Sequence, residues 1–197
     1  DRTNPKADWF VWAEPKHDGS PPNNWISVFG GSCWQWDARR KQYYLHNFLT
    51  QQPDFNYHNP QVVAYMESVL RFWLDRGVDG FRFDTVNYFF HDAKLRDNPA
   101  DFRVKPVPEA NPYAMQYHLF SKNQPENLAW MERIRRVMDD YDDRATVGEM
   151  GENHHAIRMM RDYTQPGRLN QCYSFELMGY DFTADLENQL DEVSAGA

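Results

Sequence analysis

Arg82, Asp84 and Glu149 are the residues of this 197-residue chain whose types and spacing could do chemistry. Asp84 lies in the apolar stretch "GVDGFRFDTVNYFF" and Glu149 near the end of "RATVGEM". Both stretches read as strands, and in α/β folds sites assemble at the C-terminal ends of strands. Two carboxylates at neighbouring strand ends suit acid/base or nucleophilic work on one substrate. One attacks or stabilises while the other gives a proton to a leaving oxygen. Arg82 and Asp84 are two residues apart, so on a strand they project to the same side. A guanidinium there keeps Asp84 ionised, as a nucleophile requires. Glu149 has the opposite need, a proton to give, and its chain neighbours Val147, Gly148 and Met150 bring no cation. From spacing alone, a structural ion pair between Arg82 and Asp84 accounts for those two residues equally well.

Other polar residues carry less. His154 and His155 are adjacent and lack a third ligand, which fits a surface pair at a helix start better than a metal site. Cys33 and Cys172 are far apart and form neither a metal pattern nor a disulfide framework, so two free thiols are expected, mildly favouring a reducing compartment. Neither a metal nor a cofactor is expected.

The elements that must position the carboxylates follow from periodicity. Residues 1 to about 58 are rich in Pro, Gly, Asn, Trp and Tyr, with turn chemistry in "EPKHDGSPPNNW". "WFVW", "WISVF" and "KQYYLHNF" look like short strands there. Asn59 then suits a helix N-cap and Pro60 the first helical position. Val62, Val63, Met66, Val69, Leu70, Trp73 and Leu74 recur at helical spacing. Gly77 stands where a helix-ending glycine belongs, immediately before the strand "VDGFRFDTV". Residues 91–123 read as a long loop. A second helix is predicted from about Pro125 to Asp140, with Leu128, Met131, Ile134, Val137 and Met138 on its apolar face. "RATVGEM" is the next strand, "HHAIRMMRDYT" a third helix and "QCYSFELM" a third strand. Alternation of this kind implies a parallel sheet with crossover helices. A closed eight-fold barrel needs about 250 residues. The part after residue 58 therefore makes either a small open α/β sheet or a piece of a larger barrel.

Composition narrows the partners. Hydrophobic residues at 41% and charged residues at 25% are those of a soluble globular protein. A net charge of −8 argues against nucleic acid and anionic membranes. The cluster Arg133, Arg135 and Arg136 falls on a predicted helix as a solvated face. No apolar run approaches the roughly 20 residues that span a bilayer. The polar first residues show no signal peptide, and the chain starts at Asp1 without Met, so an earlier start could have been removed. Aromatic residues make up 16%, well above the usual share; core packing is the expected use of most of them, and flat rings also suit sugar faces.

Several segments resemble one family. "DGFRFDTVNYFF" is similar to the strand-four signature of the α-amylase superfamily, glycoside hydrolase family 13, in which Gly-x-Arg-x-Asp carries the nucleophile. "TVGEM" resembles its strand-five motif, whose Glu is the acid/base. "QQPDFNYHNPQV" is similar to the Gln-Pro-Asp-Leu-Asn segment of the oligo-1,6-glucosidase and α-glucosidase branch, with Phe55 in place of Leu. "NPKADWFVW" and "FGGSCWQWDARRKQYYLHNFL" resemble domain B of that branch. The resemblance covers nearly the whole chain. It implies an α/β fold: a partial TIM (β/α)8 barrel, about strands four to six, with an inserted β-containing domain B at the N-terminal end. Residues 1–58 are then the domain B-like irregular β subdomain and residues 59–197 the partial barrel.

The resemblance also implies roles. Asp84 is the catalytic nucleophile, Glu149 the acid/base, and Arg82 supports Asp84. Phe29 and Phe48 match aromatics that line the glucose pocket. Thr85 follows the nucleophile, where Thr or Ala goes with α-1,4 linkages and Val with α-1,6. Glu176 ends the third strand and competes with Glu149, but only Glu149 has the Val-Gly-Glu context. Trp34 and Trp36 fit domain B packing better than sugar platforms, and Glu152 with Asn153 fits the site rim. The family's strand-three Asp and His motif and its strand-seven Asn-His-Asp do not occur in these residues, and neither does its calcium loop. His91-Asp92 follows strand four too closely to replace them. The implied activity is that of a retaining α-glucosidase on short oligosaccharides or disaccharides. Transglucosidase and sucrose isomerase remain open as alternatives of the same family. The rival of another class is a non-catalytic relative, such as the ectodomain of amino-acid transporter heavy chains, and the presence of Arg82, Asp84 and Glu149 weighs against it. Cytoplasmic residence is favoured, with periplasm and secretion left open. The 197 residues by themselves are expected to be inactive.

Overall fold

The computed structural model describes residues 2–103, 110–152 and 155–175. The chain forms two compact units, residues 1–64 with 90–124 and residues 65–89 with 125–197.

The first unit holds a small antiparallel sheet of β1 (Trp12–Ala13), β2 (Trp34–Asp37) and β3 (Gln42–Leu45), in the order β1-β3-β2. Asp37 closes the β2–β3 turn: its Oδ1 accepts from the backbone N–H of Arg39 and Arg40, each at 2.8 Å. Val11, Ala13, Trp25, Cys33, Trp34 and Leu45 form the core, with Tyr43, Leu95 and Phe120 against it. Trp25 and Trp34 stack, and their indole N–H groups donate to Arg96 O and Asn23 Oδ1, so burial leaves neither polar tip unpaired. Trp34 is thus packing, as its pattern suggested. The expected strand at "WISVF" is a loop instead, with a single bridge from Ile26 to Ser32. Gly30 and Gly31, both at positive φ, turn the chain there, and Ser27 N donates to Gly31 O. Side chains hold the described parts of the long loop. The Asn24 side-chain amide donates to Asn98 O and accepts from Asn98 N, and Asn98 Oδ1 accepts from Phe120 N. A short 3₁₀ helix, Pro112–Met115, interrupts it.

Helix α1 (Pro60–Leu74) begins as predicted, with Asn59 Oδ1 accepting from Gln61 N at 2.9 Å. It buries Val62, Val63, Leu70 and Leu74, but Trp73, expected on the same face, is half exposed. Gly77 ends it at φ 87°: Val78 N reaches back to Trp73 O and Gly77 N to Leu74 O, the paired bonds of a glycine-closed helix end.

In the second unit, β4 (Gly80–Phe83), β5 (Ala145–Met150) and β6 (Gln171–Ser174) make a parallel sheet in that order. Helices α2 (Glu126–Asp139) and α3 (Ala156–Tyr163) lie between successive strands in the chain. Helix α2 buries Trp130, Met131, Ile134, Val137 and Met138, close to the predicted face. The two sides of the sheet differ. Arg82, Asp84, Gln171 and Tyr173 are exposed, whereas Phe81, Phe83, Thr146, Gly148, Met150 and Cys172 are at least partly covered. Alternation along the strands therefore puts Arg82 and Asp84 on the open side, which removes the cost of burying them in a dry core.

Candidate active site

Parallel register sets the heights of the polar side chains. Arg82 pairs with Val147 and Glu149 pairs with Tyr173. Side chains of paired residues share a face, so Arg82, Glu149 and Tyr173 converge above the open side. Arg82 Nη1 donates to Asp84 Oδ1 at 2.7 Å, the pair that spacing predicted. Its Nη2 also makes an ion pair with Glu149 Oε2. This contact lies outside what the chain neighbours of Glu149 could show. Its chain neighbours bring none, but the long guanidinium of the adjacent strand reaches it.

Tyr173 was missed by the sequence reading. Its hydroxyl donates to Glu149 Oε2 at 2.7 Å and accepts from Arg82 Nε at 3.2 Å and Nη2 at 3.0 Å. The hydrogen bond to Tyr173 is the largest influence holding the Arg82 guanidinium above its ordinary value, followed by the Asp84 bond and the charges of both carboxylates. The only signal in the sequence was position, because Tyr173 lies near the end of the third strand. The two carboxylates differ in access. Within this chain the Asp84 side chain is 75% exposed and that of Glu149 11%.

The segments after the two carboxylates are stitched together. Thr85 turns at φ 38°, and Val86 N donates to Glu149 O at 2.9 Å. Asn87, fully buried, brackets Gly151: its Oδ1 accepts from Gly151 N and its Nδ2 donates to Gly151 O. Asn127 of α2 donates in turn to Asn87 O. A buried amide in an apolar run was the overlooked signal for Asn87.

Phe29 and Phe48 lie in the first unit and form an edge-to-face pair with centroids 6.0 Å apart, Phe29 being mostly exposed. Ser27 Oγ donates to Phe48 O and accepts from Phe29 N, which fixes the pair locally. His91 and Asp92 serve packing. His91 is buried, which pushes it down to about 3, and its carbonyl bonds to His58 Nε2. Arg96 binds Asp92 through Nε and Nη2 and holds it down at about 2. Both thiols are free, and burial pushes Cys172 up to about 11. His155 is exposed and left-handed at the start of α3. Glu152 is buried. The expected roles of Asn153, His154 and Glu176 fall outside the described residues. Among the described residues no group of three His, Cys, Asp or Glu is arranged to hold a metal ion, and no helix is long and apolar enough to cross a membrane.

A family model described as alpha amylase, catalytic domain, matches residues 1–195. The chain belongs to the alpha-amylase family. A probable alpha-glucosidase of Rhizobium meliloti (strain 1021) is 54% identical over 185 residues, covering 91% of this chain and 34% of that protein. An alpha-glucosidase of Culex pipiens is 40% identical over 183 residues, covering 89% and 31%. The crystal structure of an alpha-glucosyl transfer enzyme, XgtA, superposes with a TM-score of 0.90 at 52% identity, covering 99% of this chain and 37% of that one. The chain spans about a third of the length of these alpha-amylase family relatives. Its parallel sheet with intervening helices is part of that family's α/β barrel.

Proposed function

We propose that this chain carries the nucleophile and the acid/base of a retaining α-glucosidase acting on short α-linked glucosides, α-1,4 linkages favoured. In this reading residues 1–58 are the domain B-like part and residues 59–197 the barrel part. The observation that carries it is Arg82 holding one oxygen of Asp84 and one of Glu149 on the same guanidinium. A shared cation supports a close pair of carboxyls, as in retaining enzymes, where about 5–5.5 Å separates them, over the wider gap that an inverting enzyme leaves for water.

In the first step an oxygen of Asp84 bonds to the anomeric carbon as the glycosidic bond breaks. Glu149 gives its proton to the departing oxygen. Arg82 holds Asp84 in place through Nη1 on Oδ1. In the second step Glu149 takes a proton from water, whose oxygen displaces Asp84 and releases glucose. The family resemblance assigns Phe29 and Phe48 to the glucose pocket and Thr85 to the choice of linkage. A second reading, transfer of the glucosyl group to another hydroxyl, is favoured by the likeness to an alpha-glucosyl transfer enzyme. It uses the same first step with a sugar or alcohol as acceptor. The test is Asp84→Asn in the longest natural polypeptide that carries this chain, assayed by 4-nitrophenol release from 4-nitrophenyl α-glucoside. The expected loss is about a thousandfold or more, and activity near wild type removes Asp84 as the nucleophile.

A further inference from the structure

We propose that Tyr173 is a positioning residue for proton transfer, and that together with Arg82 it dictates which oxygen of Glu149 carries the proton. The inference rests on Glu149 being the acid/base. Both donors fall on Oε2: the Tyr173 hydroxyl at 2.7 Å and the Arg82 Nη2 ion pair. An oxygen that already accepts two donors is the poorer place for a proton, so the proton resides on Oε1, and Oε1 delivers it to the leaving oxygen. Tyr173 also accepts from Arg82 Nε and Nη2. One hydroxyl therefore ties the Glu149 carboxyl to the guanidinium that serves Asp84. The register Glu149–Tyr173 makes this bond a property of the sheet and not of a loose rotamer. The charged or titratable groups bonded to Glu149 include Arg82 from β4, which also holds Asp84, and Tyr173 from β6.

Donation to a carboxylate favours its ionised form. Removing the donor makes Glu149 hold its proton to higher pH and release it less readily. A general acid works only while protonated, so the alkaline limb of the pH–rate profile reports it. The experiment compares Tyr173→Phe with wild type in the longest natural polypeptide that carries this chain. It records kcat/KM against pH for 4-nitrophenyl α-glucoside, whose leaving group needs little protonation, and for phenyl α-glucoside, whose leaving group needs more. The expected result is an alkaline limb moved up by about half to one pH unit. Alongside it, kcat/KM on the phenyl substrate falls about tenfold and on the nitrophenyl substrate about threefold or less. Equal losses on both substrates with an unmoved limb would overturn the proposal, since that is the mark of a merely structural bond. Should Tyr173→Phe fold poorly, fluorotyrosine at position 173 keeps the ring and strengthens the donor. The limb then moves down, and no movement overturns the proposal equally. Glu149→Gln separates the underlying reading: full activity on the phenyl substrate in that variant refutes Glu149 as the acid, whatever Tyr173 does.

Discussion

Thr85 follows Asp84 with φ at 38°, a backbone region that costs a β-branched residue about 1–3 kcal/mol. Such strain persists where the surroundings over-determine it, here through Val86 N on Glu149 O and Tyr88 N on Thr85 O. The turn places Thr85 directly after the nucleophile candidate, and under the proposed function the side chain at this position bears on the choice of linkage. Maltose is expected to be preferred over isomaltose, and Thr85→Val is expected to move the kcat/KM ratio towards isomaltose by about tenfold. A ratio that stays where it was would separate Thr85 from linkage choice. At this scale the Arg82–Asp84 contact was legible, because alternation on a strand needs only a spacing of two. Tyr173 and its bond to Glu149 were not, because they depend on which residue of a strand twenty-four positions away comes into register.

Two glycines show how the strands set that register. A Cβ at Gly80 would lie 2.2 Å from Ala145 O, a backbone atom that cannot move without parting β4 from β5. At Gly148 the nearest neighbours are the Leu169, Cys172 and Val86 side chains, at 2.7–3.0 Å, which can yield by repacking. Gly80→Ala is therefore expected to cost about 3 kcal/mol or to prevent folding, and Gly148→Ala less. Urea unfolding of the two variants checks the order, and a reversed order would mean that β4 and β5 adjust their separation. Helix α1 was legible at both ends, since Asn59 and Gly77 act through local backbone geometry. The loop at Ile26 was misread as a strand because composition there favours β, and two positive-φ glycines overrule it.

Asp54 brings pH into the stability of the whole molecule. Burial raises its carboxyl to about 7, while the backbone and side-chain N–H groups of Asn47 pull the other way. An unfolded chain gives up this proton from about pH 4, whereas the folded chain keeps it to about pH 7. Folding stability therefore falls as pH rises through that window and levels off above it, by a few kcal/mol at most. Asp54→Asn keeps an acceptor for Asn47 and removes the ionisation, so its melting temperature is expected to exceed that of wild type at pH 8 and to match it at pH 4. Thermal melts at the two values decide it, and a wild-type melting temperature that rises from pH 4 to 8, with the variant following in parallel, would exclude Asp54 as the cause.

By itself the sequence determined the alternation of strands and helices, the helix caps, the Arg82–Asp84 pair and, through its motifs, membership of the alpha-amylase family. Each of these rests on local geometry or on contiguous residues. Only the tertiary structure decided that Arg82 also serves Glu149, that Tyr173 completes the cluster and that Asn87 binds the two strand ends together. Those contacts join residues far apart in the chain. Parallel strands bring such residues together only after a crossover helix has fixed their register, and the order of residues in one strand carries no record of it.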